Sequence, residues 1–275
     1  MVKVFVDSGS SIKQEEKEFY NVEILPLKIL LGDKEYLDGI DLSMDEFYSA
    51  LINDGIFPKT SLPSLEDAET RVKKCIEEGH DVIILTISTG ISGTNNALRM
   101  LFQDEPKVRV IDTKSAVGGM KILALEAKKY VNESLDFVEN KLNELIPKIK
   151  VLAVPETLAY LHKGGRLSKV SWAVGTVLRI KPVIELKHTV KVNSKCIGLK
   201  MAMNKIVAAL NNCDKNYPIV PSYTYDTKNL DELLKLTPSE YIDIMIDKDN
   251  LDPAIACHWG PNAFGFIFVE KEQNN

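Results

Sequence analysis

The chain has 275 residues, of which 45% are hydrophobic and 27% charged, a composition typical of a soluble globular protein and too apolar for a disordered one. Its 39 Asp and Glu residues outnumber its 34 Lys and Arg residues, and the basic residues are dispersed, so we expect no nucleic acid as a partner. A charge at Asp7 ends the first apolar run, and no later run approaches the ~20 residues of a membrane span. We therefore expect a cytoplasmic location without stable membrane insertion.

Short apolar runs alternate with amphipathic helices through the first half of the chain. Ser64 begins a capping box and Gly79 stands at the position of a left-handed stop, which predicts a helix over residues 65–78. Another helix begins after Ser134, where apolar residues repeat at three and four positions. The predicted strands, rich in Val, Ile and Leu, run over residues 2–6, 22–31, 82–87 and 108–111. This alternation predicts an α/β domain with a mostly parallel sheet over residues 1–150.

The second half repeats strand and helix patterns in a less regular order. Helices are predicted to begin near Pro155 and to cover residues 199–211 and 228–236, with a break at Gly164-Gly165. Predicted strands cover residues 151–154, 183–186, 219–223, 241–246 and 264–269. A second domain of the α+β class, over residues 151–275, fits this pattern best.

Hydroxyl side chains are concentrated in the loops that follow the predicted strands of the first half. These loops are Asp7-Ser8-Gly9-Ser10-Ser11, Ser88-Thr89-Gly90-Ile91-Ser92-Gly93-Thr94 and Asp112-Thr113-Lys114-Ser115, to which Thr60-Ser61-Leu62-Pro63-Ser64 before a capped helix is added. Ligands of open α/β sheets bind beyond the carboxyl ends of the strands. Hydroxyls and helix N-termini with Lys114 as the one cation suit a carboxylate or a phosphate. Any single Ser or Thr here is more simply a helix cap, but the glycine-containing cluster at residues 88–94 favours a ligand.

The motifs of cofactor enzymes do not occur in this sequence. Gly90-Ile91-Ser92-Gly93 is one residue short of the nucleophile elbow of serine hydrolases. Neither a P-loop nor a G-x-G-x-x-G fingerprint is found, so ATP is not expected. The four cysteines form no C-x-x-C pair, and the four histidines lack helical ligand spacing. We expect no cofactor and no metal.

Two segments of the second half carry further candidate residues. Lys163-Gly164-Gly165-Arg166-Leu167-Ser168 ends a helix at glycine and then presents Arg166, either as a phosphate ligand or as a solvated residue after a helix stop. Cys257-His258-Trp259-Gly260-Pro261 places His258 beside a turn between two predicted strands. A lone histidine is more often structural than functional, so both interpretations of each segment stay open.

Taken together, these motifs resemble those of the DegV family, the fatty-acid-binding subunits of bacterial fatty acid kinase. The resemblance covers the whole chain. It runs through Val6-Asp7-Ser8, Pro26-Leu27, Thr60-Ser61-Leu62-Pro63-Ser64, Ser88-Thr89-Gly90-Ile91-Ser92-Gly93-Thr94, Ile111-Asp112-Thr113, Lys163-Gly164-Gly165-Arg166-Leu167-Ser168, Lys181-Pro182 and His258-Trp259-Gly260-Pro261.

The resemblance implies a fold and a binding site. The fold is a Rossmann-like, mostly parallel N-terminal sheet with helices on both faces, a smaller α+β C-terminal domain, and a tunnel between the two domains that buries one long-chain fatty acid. The family's head-group residues map to Thr60, Ser61, Thr89 and Ser92, with backbone N–H support near Gly90, and to Arg166 and His258.

The resemblance also implies a function. The protein would be a carrier without catalysis of its own, which presents the fatty acid carboxylate to a separate fatty acid kinase catalytic subunit. The acyl phosphate formed there would pass to an acyltransferase for phospholipid synthesis. Two alternatives stay open: an enzyme in which Ser92 or Thr89 acts on an acyl ester with His258 as base, and a binding protein for a small anion such as a phosphorylated metabolite.

The sequence departs from the family pattern at several positions. Gly9 replaces a usual Thr, Leu62 a usual Gln, Thr89 a usual Ser, and Asn262 stands where Gly is usual. Thr89 keeps a hydroxyl, so we expect carboxylate binding to survive. Gly9 and Leu62 are expected to change the geometry of their loops.

Overall fold

The computed structural model describes residues 1–167 and 180–272. The chain divides into two compact units. The first contains Met1–Pro147 and Asp252–Ala254, and the second contains the described residues of Lys148–Leu251 and Ile255–Asn275. In the part of the chain that is described, no helix is long and apolar enough to cross a membrane.

The first unit alternates strands and helices. Its strands are β1 (Val2–Asp7), β2 (Val22–Leu25), β3 (Lys28–Leu31), β4 (Lys34–Leu37), β5 (Lys59–Ser61), β6 (Asp81–Thr86) and β7 (Val108–Asp112). Its helices are α1 (Lys17–Tyr20), α2 (Met44–Tyr48), α3 (Leu65–Glu77), α4 (Thr94–Leu101), α5 (Gly118–Lys129) and α6 (Leu135–Leu145), with short 3-10 turns at Ser8–Ser10, Gln14–Glu16 and Ile146–Lys148 and a π-helical turn at Ser49–Asn53.

A four-stranded parallel sheet in the order β2-β1-β6-β7 forms the centre of this unit. Alternate residues such as Phe5, Val82 and Ile84 pack against α3 and α4, while α5 and α6 contact the same strands. Helices therefore flank the sheet, and the predicted α/β class with a parallel N-terminal sheet is confirmed. The helix predicted from the Ser64 cap is also confirmed, since Ser64 Oγ accepts the N–H of Asp67 at 3.3 Å.

The prediction of one strand over residues 22–31 is wrong. The chain breaks at Pro26, and the two halves, β2 and β3, join different sheets. Proline has no N–H for a ladder and is confined to strand ends and edges, which accounts for the break. Strand β3 pairs antiparallel with β4 and β5 in a small three-stranded sheet, and this sheet holds Thr60 and Ser61 on β5.

The second unit is a mixed sheet with helices. Its strands are β8 (Ile149–Val154), β9 (Ile180–Lys187), β10 (Thr189–Ile197), β11 (Val220–Tyr223), β12 (Asp249–Asn250) and β13 (Phe264–Val269), in the order β10-β9-β8-β13-β11-β12. Its helices are α7 (Ala159–Lys163), α8 (Leu199–Ala209), α9 (Lys228–Lys235), α10 (Ser239–Ile242) and α11 (Pro253–Trp259), whose first two residues belong to the first unit. A 3-10 turn at Leu210–Asn212 follows α8.

Alternation along β13 shows where the core of this unit lies. Phe264, Phe266 and Phe268 all belong to one buried cluster with apolar residues of α8 and α9. The sheet is antiparallel except for the β11–β12 pair, so the predicted α+β class of the C-terminal half is confirmed.

Three sequence-based predictions fail in this unit. The strand predicted over residues 241–246 does not form: Tyr241 and Ile242 end the short helix α10, which follows Pro238, and Met245 forms only an isolated bridge with Ile219. Strand β10 was not predicted, because its apolar residues are sparse and half-exposed. The helix expected near Pro155 begins later, at Ala159.

Gly9 lies where a side chain has no room. Its N–H donates to Oδ1 of Asp7 at 2.9 Å, and Oδ2 of Asp7 accepts the N–H of Ile87 at 2.8 Å. A Cβ built on Gly9 would lie 2.8 Å from Asp7 Oδ1 and 3.0 Å from Ile87 Cδ1. The Ile87 side chain thus fills the space that a threonine at position 9 would need.

We expect Gly9→Ala to lower the free energy of unfolding by about 1–3 kcal/mol, because the new methyl group overlaps Ile87 and Asp7. Adding Ile87→Val, which removes Cδ1, should recover part of the loss. The matched control is Gly93→Ala, whose Cβ would lie 3.7 Å from Leu62 Cδ2 and should cost much less. Urea unfolding measures all of these variants, and equal losses for Gly9→Ala and Gly93→Ala would contradict the packing argument.

A pair of carboxyl groups, Asp38 and Asp252, is buried in the first unit. Asp38 Oδ2 accepts the Ser8 hydroxyl at 2.7 Å, and its Oδ1 accepts the N–H of Ala254 at 3.0 Å. Asp252 forms an ion pair with the Lys13 ammonium group. Burial, with repulsion from Asp252, raises the pKa of Asp38 to about 8. The cluster ties the returning segment Asp252–Ala254 to the first unit.

The raised pKa of Asp38 predicts a pH-dependent stability. Between about pH 4 and pH 8 the folded protein keeps a proton on Asp38 that the unfolded chain releases, so the free energy of unfolding should fall as pH rises through that window. Asp38→Asn should make this slope shallower by up to about 1.4 kcal/mol per pH unit. Urea unfolding from pH 5 to pH 8 tests this, with the exposed Asp33→Asn as control; an unchanged slope in Asp38→Asn would count against it.

Candidate functional site

Three loops interlock beyond the carboxyl ends of β1, β6 and β7. The Ile87 N–H reaches Asp7, the Ser88 N–H donates to the Ser115 carbonyl at 2.9 Å, and the Val117 N–H donates to the Gly9 carbonyl at 2.7 Å. Parallel pairing places these strand ends side by side, so the sequence-predicted loops lie together as the strand topology requires.

The loop after β6 is closed by its own hydrogen bonds. The buried Ser88 Oγ accepts the N–H of Gly90 at 3.2 Å, and the Ser88 carbonyl accepts the N–H groups of Ile91 at 3.1 Å and Ser92 at 3.0 Å. The Gly90 N–H, expected to support a ligand, here stabilises the turn. These hydrogen bonds close the turn that carries Thr89 and Ser92.

Thr89 is bound by a carboxylate from the neighbouring strand. Its hydroxyl donates to Asp112 Oδ2 at 2.6 Å, and its N–H donates to Asp112 Oδ1 at 3.2 Å. Asp112 ends β7, whose register places it opposite Thr86 at the end of β6. Oδ1 also accepts the N–H of Lys114 at 2.9 Å. Sequence reasoning placed Asp112 in a candidate loop but assigned it no role, because only the strand register shows that it meets Thr89.

Ser92 stands at the start of α4. Its Oγ lies 3.0 Å from Thr94 Oγ1 and accepts the N–H of Thr94 at 3.2 Å. The first turn of α4 consists of the uncharged residues Thr94, Asn95 and Asn96. The partial positive charge of this helix N-terminus is therefore not offset by a carboxylate of its own first turn, as it is in α3 by Glu66 and Asp67.

The Thr60-Ser61 segment reaches the same helix start. Thr60 pairs with Ile29 in the small sheet, Ser61 is exposed, and Leu62 continues towards α3. Leu62 Cδ2 lies 3.7 Å from the point where a Cβ on Gly93 would stand. Since α3 and α4 also contact each other, the two hydroxyl-bearing segments meet where these helices begin.

Arg166 and His258 lie together in the second unit. A Cβ built on Gly164 would be 2.3 Å from His258 Nδ1, so only glycine allows the imidazole this position. Likewise, a Cβ built on Gly260 would lie 2.2 Å from Cδ2 of the Tyr160 ring, which occupies that space. The two glycine-containing motifs of the second half therefore pack against each other. Ser168, the last residue of the first motif, lies outside the described residues.

The structure places His258 beside a turn, as the sequence predicts. His258 lies in the last turn of α11, which the sequence did not predict, and the turn at Gly260, with φ +73°, follows it. Asn262, at the usual glycine position, has φ +62°, a conformation that asparagine tolerates better than most residues. Its side-chain amide donates to Glu156 at 2.6 Å.

The His258 imidazole is neutral at physiological pH. Burial, helped by the nearby charge of Arg166, lowers its pKa to about 3. The Arg166 guanidinium group donates to the Gly164 carbonyl, and its backbone N–H donates to the Leu161 carbonyl at 2.9 Å, so it also closes the end of α7. Across residues 1–167 and 180–272, His, Cys, Asp and Glu form no cluster of three that could hold a metal ion.

Comparison with known proteins identifies the family. The family described as "Uncharacterised protein, DegV family" matches residues 1–271. This chain belongs to the DegV family. A DegV domain-containing protein of Clostridium acetobutylicum is 29% identical over 98% of this chain and 99% of its own length. A DegV domain-containing protein of Clostridium perfringens is 28% identical, again over 98% of this chain and 99% of its own length.

Solved structures of DegV proteins have the same fold. A Thermus thermophilus protein described as a fatty-acid-binding DegV family protein has a TM-score of 0.85 and 27% identity, with 98% of this chain and 99% of that chain covered. A stearic-acid-binding protein of Eubacterium ventriosum has a TM-score of 0.81 and 28% identity, with the same coverage. A fatty-acid-binding DegV protein of Streptococcus agalactiae has a TM-score of 0.87 and 26% identity, with 99% of each chain covered.

We expect the imidazole of His258 not to titrate between pH 5 and pH 8, because its pKa is about 3. In Arg166→Met the loss of a neighbouring positive charge should raise this pKa, while burial keeps it below the ordinary 6.5. The C2–H shift in an NMR titration measures both. Lys163→Met, which removes an exposed charge three residues away, is the control and should change nothing. A wild-type midpoint near 6.5 would show that this environment is wrongly assigned.

Proposed function

We propose that this protein is a carrier that buries one long-chain fatty acid and holds its carboxyl head group with hydroxyl side chains of the first unit. The observation that carries the proposal is the match, over nearly the whole length of both chains, to two DegV proteins described as fatty-acid-binding and to a protein described as binding stearic acid. The predicted tunnel between the domains stays a prediction.

The start of α4 supports the head-group part of the proposal. The predicted head-group residues Thr60, Ser61, Thr89 and Ser92 come from segments that meet there, and the first turn of α4 bears no charge of its own. Because the Thr89 hydroxyl donates to Asp112, we propose that Ser92 and the Thr60-Ser61 segment donate to the carboxylate. A helix N-terminus with convergent hydroxyls favours an anion without neutralising it by a permanent cation. Gly90 contributes through its N–H, which donates to Ser88 Oγ and closes the turn that carries Thr89 and Ser92.

Arg166 and His258 are proposed to act on the same head group. Their support is the packing of His258 against Gly164, two residues before Arg166, and the effect of the Arg166 charge on a neutral His258. A neutral imidazole can either donate or accept one hydrogen bond, while the guanidinium group is suited to a carboxylate or a phosphate. We expect Arg166→Ala to impair phosphorylation of the bound acid more than its binding.

The proposed next step is transfer to a kinase. A carboxylate oxygen of the bound fatty acid attacks the γ-phosphorus of ATP on a separate fatty acid kinase catalytic subunit, ADP leaves, and an acyl phosphate forms. The carrier then delivers this product to an acyltransferase of phospholipid synthesis. Hydroxyl ligands leave the carboxylate its charge and therefore its nucleophilicity, so the carrier needs no catalytic group of its own.

The alternative of an acyl hydrolase has less support. The Thr89 hydroxyl already donates to Asp112, and Ser92 is bonded to Thr94. A histidine with a pKa of about 3 is also a poor general base at neutral pH. A small-anion binder differs from a fatty acid carrier in how its ligand affinity depends on acyl chain length and on salt concentration.

Binding isotherms with saturated acids of increasing length test the proposal. Each added methylene should tighten Kd about fourfold, which corresponds to ~0.8 kcal/mol, until the chain no longer fits, and salt should have little effect. Ser92→Ala should weaken binding about tenfold, because it removes a hydrogen bond to a charged group. Thr70→Ala, which removes an exposed hydroxyl on α3, is the matched control.

A different pattern would point away from lipid. Strong salt dependence without a chain-length trend would identify a small anion as the ligand. Covalent labelling by a fluorophosphonate that disappears in Ser92→Ala would identify a hydrolase.

A further inference from the structure

We propose that Asp112 is a positioning residue that decides which head groups this site accepts. Because Asp112 accepts the hydrogen bond of the Thr89 hydroxyl, the Thr89 oxygen can act only as a hydrogen-bond acceptor towards the ligand. Thr89 then recognises a head group that carries an N–H or O–H, such as a primary amide, while an ionised carboxylate depends on Ser92 and the Thr60-Ser61 segment. This inference rests on the proposed function.

The strand register creates the contact. Asp112 and Thr86 are opposite each other at the ends of β7 and β6, and Thr89 follows Thr86 by three residues in a closed turn. The two donors of Thr89, its N–H and its hydroxyl, reach the two oxygens of one carboxylate at 3.2 Å and 2.6 Å. This two-point contact fixes both the backbone and the side chain of Thr89.

Asp112 acts as the acceptor in this arrangement. Its Oδ1 already receives the N–H groups of Thr89 and Lys114, so donors point at both oxygens of the carboxylate. A hydroxyl bound to a carboxylate forms one of the shorter and stronger hydrogen bonds in proteins. The proton between Thr89 and Asp112 therefore belongs to Thr89 and points away from any ligand.

The consequence for a ligand follows from counting protons. A threonine hydroxyl has one proton and two lone pairs, and an ionised carboxylate has only lone pairs. Because the Thr89 hydroxyl donates to Asp112, Thr89 has only lone pairs to offer a ligand. The carboxylate of a fatty acid also has only lone pairs, so no hydrogen bond forms between the two. The negative charge of Asp112 behind Thr89 adds repulsion. A primary amide places an N–H against Thr89 and keeps a carbonyl oxygen for Ser92.

The experiment compares a fatty acid, its primary amide and its methyl ester, all with the same chain, at pH 8. The amide should bind wild-type protein at least tenfold more tightly than the ester, which lacks a donor. Thr89→Val keeps the side-chain shape and removes the lone pairs. It should weaken binding of the amide at least tenfold and binding of the acid less than threefold. Thr89→Ser, the control that keeps the hydroxyl, should resemble wild type.

Asp112→Asn gives the complementary result. Its side-chain amide can donate to Thr89 Oγ1, which frees the Thr89 proton for the ligand, so acid affinity should rise about tenfold relative to amide affinity. A purely structural role of Asp112 would weaken both ligands alike and leave their ratio unchanged.

The outcomes separate the two proposals. Equal weakening of acid and amide by Thr89→Val, or equal wild-type affinity for amide and ester, would overturn the role of Asp112 and leave the fatty acid carrier standing. The amide and ester comparison uses wild-type protein alone, so the test holds even where a variant fails to fold. Wild-type protein that binds none of the ligands would overturn the carrier proposal itself.

Discussion

Parallel pairing of β1, β6 and β7 is the constraint on which the candidate site depends. It brings the carboxyl ends of these strands to one edge of the sheet, where the loops that follow must share space. Asp7 uses both carboxylate oxygens to join two of the loops, through the N–H groups of Gly9 and Ile87. Burial raises the pKa of Asp7 to about 7, so the fold maintains this contact at an electrostatic cost. The crowding at Gly9 follows from the same contact.

The candidate site of the first unit combines hydroxyl side chains with a helix N-terminus. Thr60, Ser61 and Ser92 belong to segments that meet at the beginning of α4, whose first turn carries no charge. The nearby carboxylate of Asp112 accepts a hydrogen bond from the Thr89 hydroxyl. In the second unit the only histidine of the candidate set is half-buried and neutral, held against Gly164. These features support the proposed role of orienting an acid head group and disfavour a role in proton transfer.

Much of the fold could be predicted from local patterns, and the errors have physical causes. Strands and capped helices of the first unit follow apolar periodicity, and the α3 cap is where Ser64 predicts it. Pro26 breaks a strand within a continuous apolar run, so apolar periodicity alone predicts one strand there. Residues 241–246 have a strand-like pattern because Tyr and Ile favour strands, whereas a short helix after Pro238 includes Tyr241 and Ile242.

The candidate site was predictable as a set of loops but not as a network. The hydroxyl-rich segments could be found from their positions after predicted strands. The partnership of Thr89 with Asp112 could not, because it depends on the register of β6 and β7, which no local pattern encodes. The same holds for His258, whose low pKa comes from burial and from Arg166, almost a hundred residues earlier in the chain.

Identifying the small molecule that the purified protein holds tests most directly whether this protein carries a fatty acid. Freshly purified protein is denatured and extracted with organic solvent, and the released small molecules are identified by mass spectrometry. We expect a fatty acid in near-stoichiometric amount, and its length would show the preferred chain. An extract that contains no fatty acid, even after the protein has been incubated with mixed fatty acids, would contradict the claim.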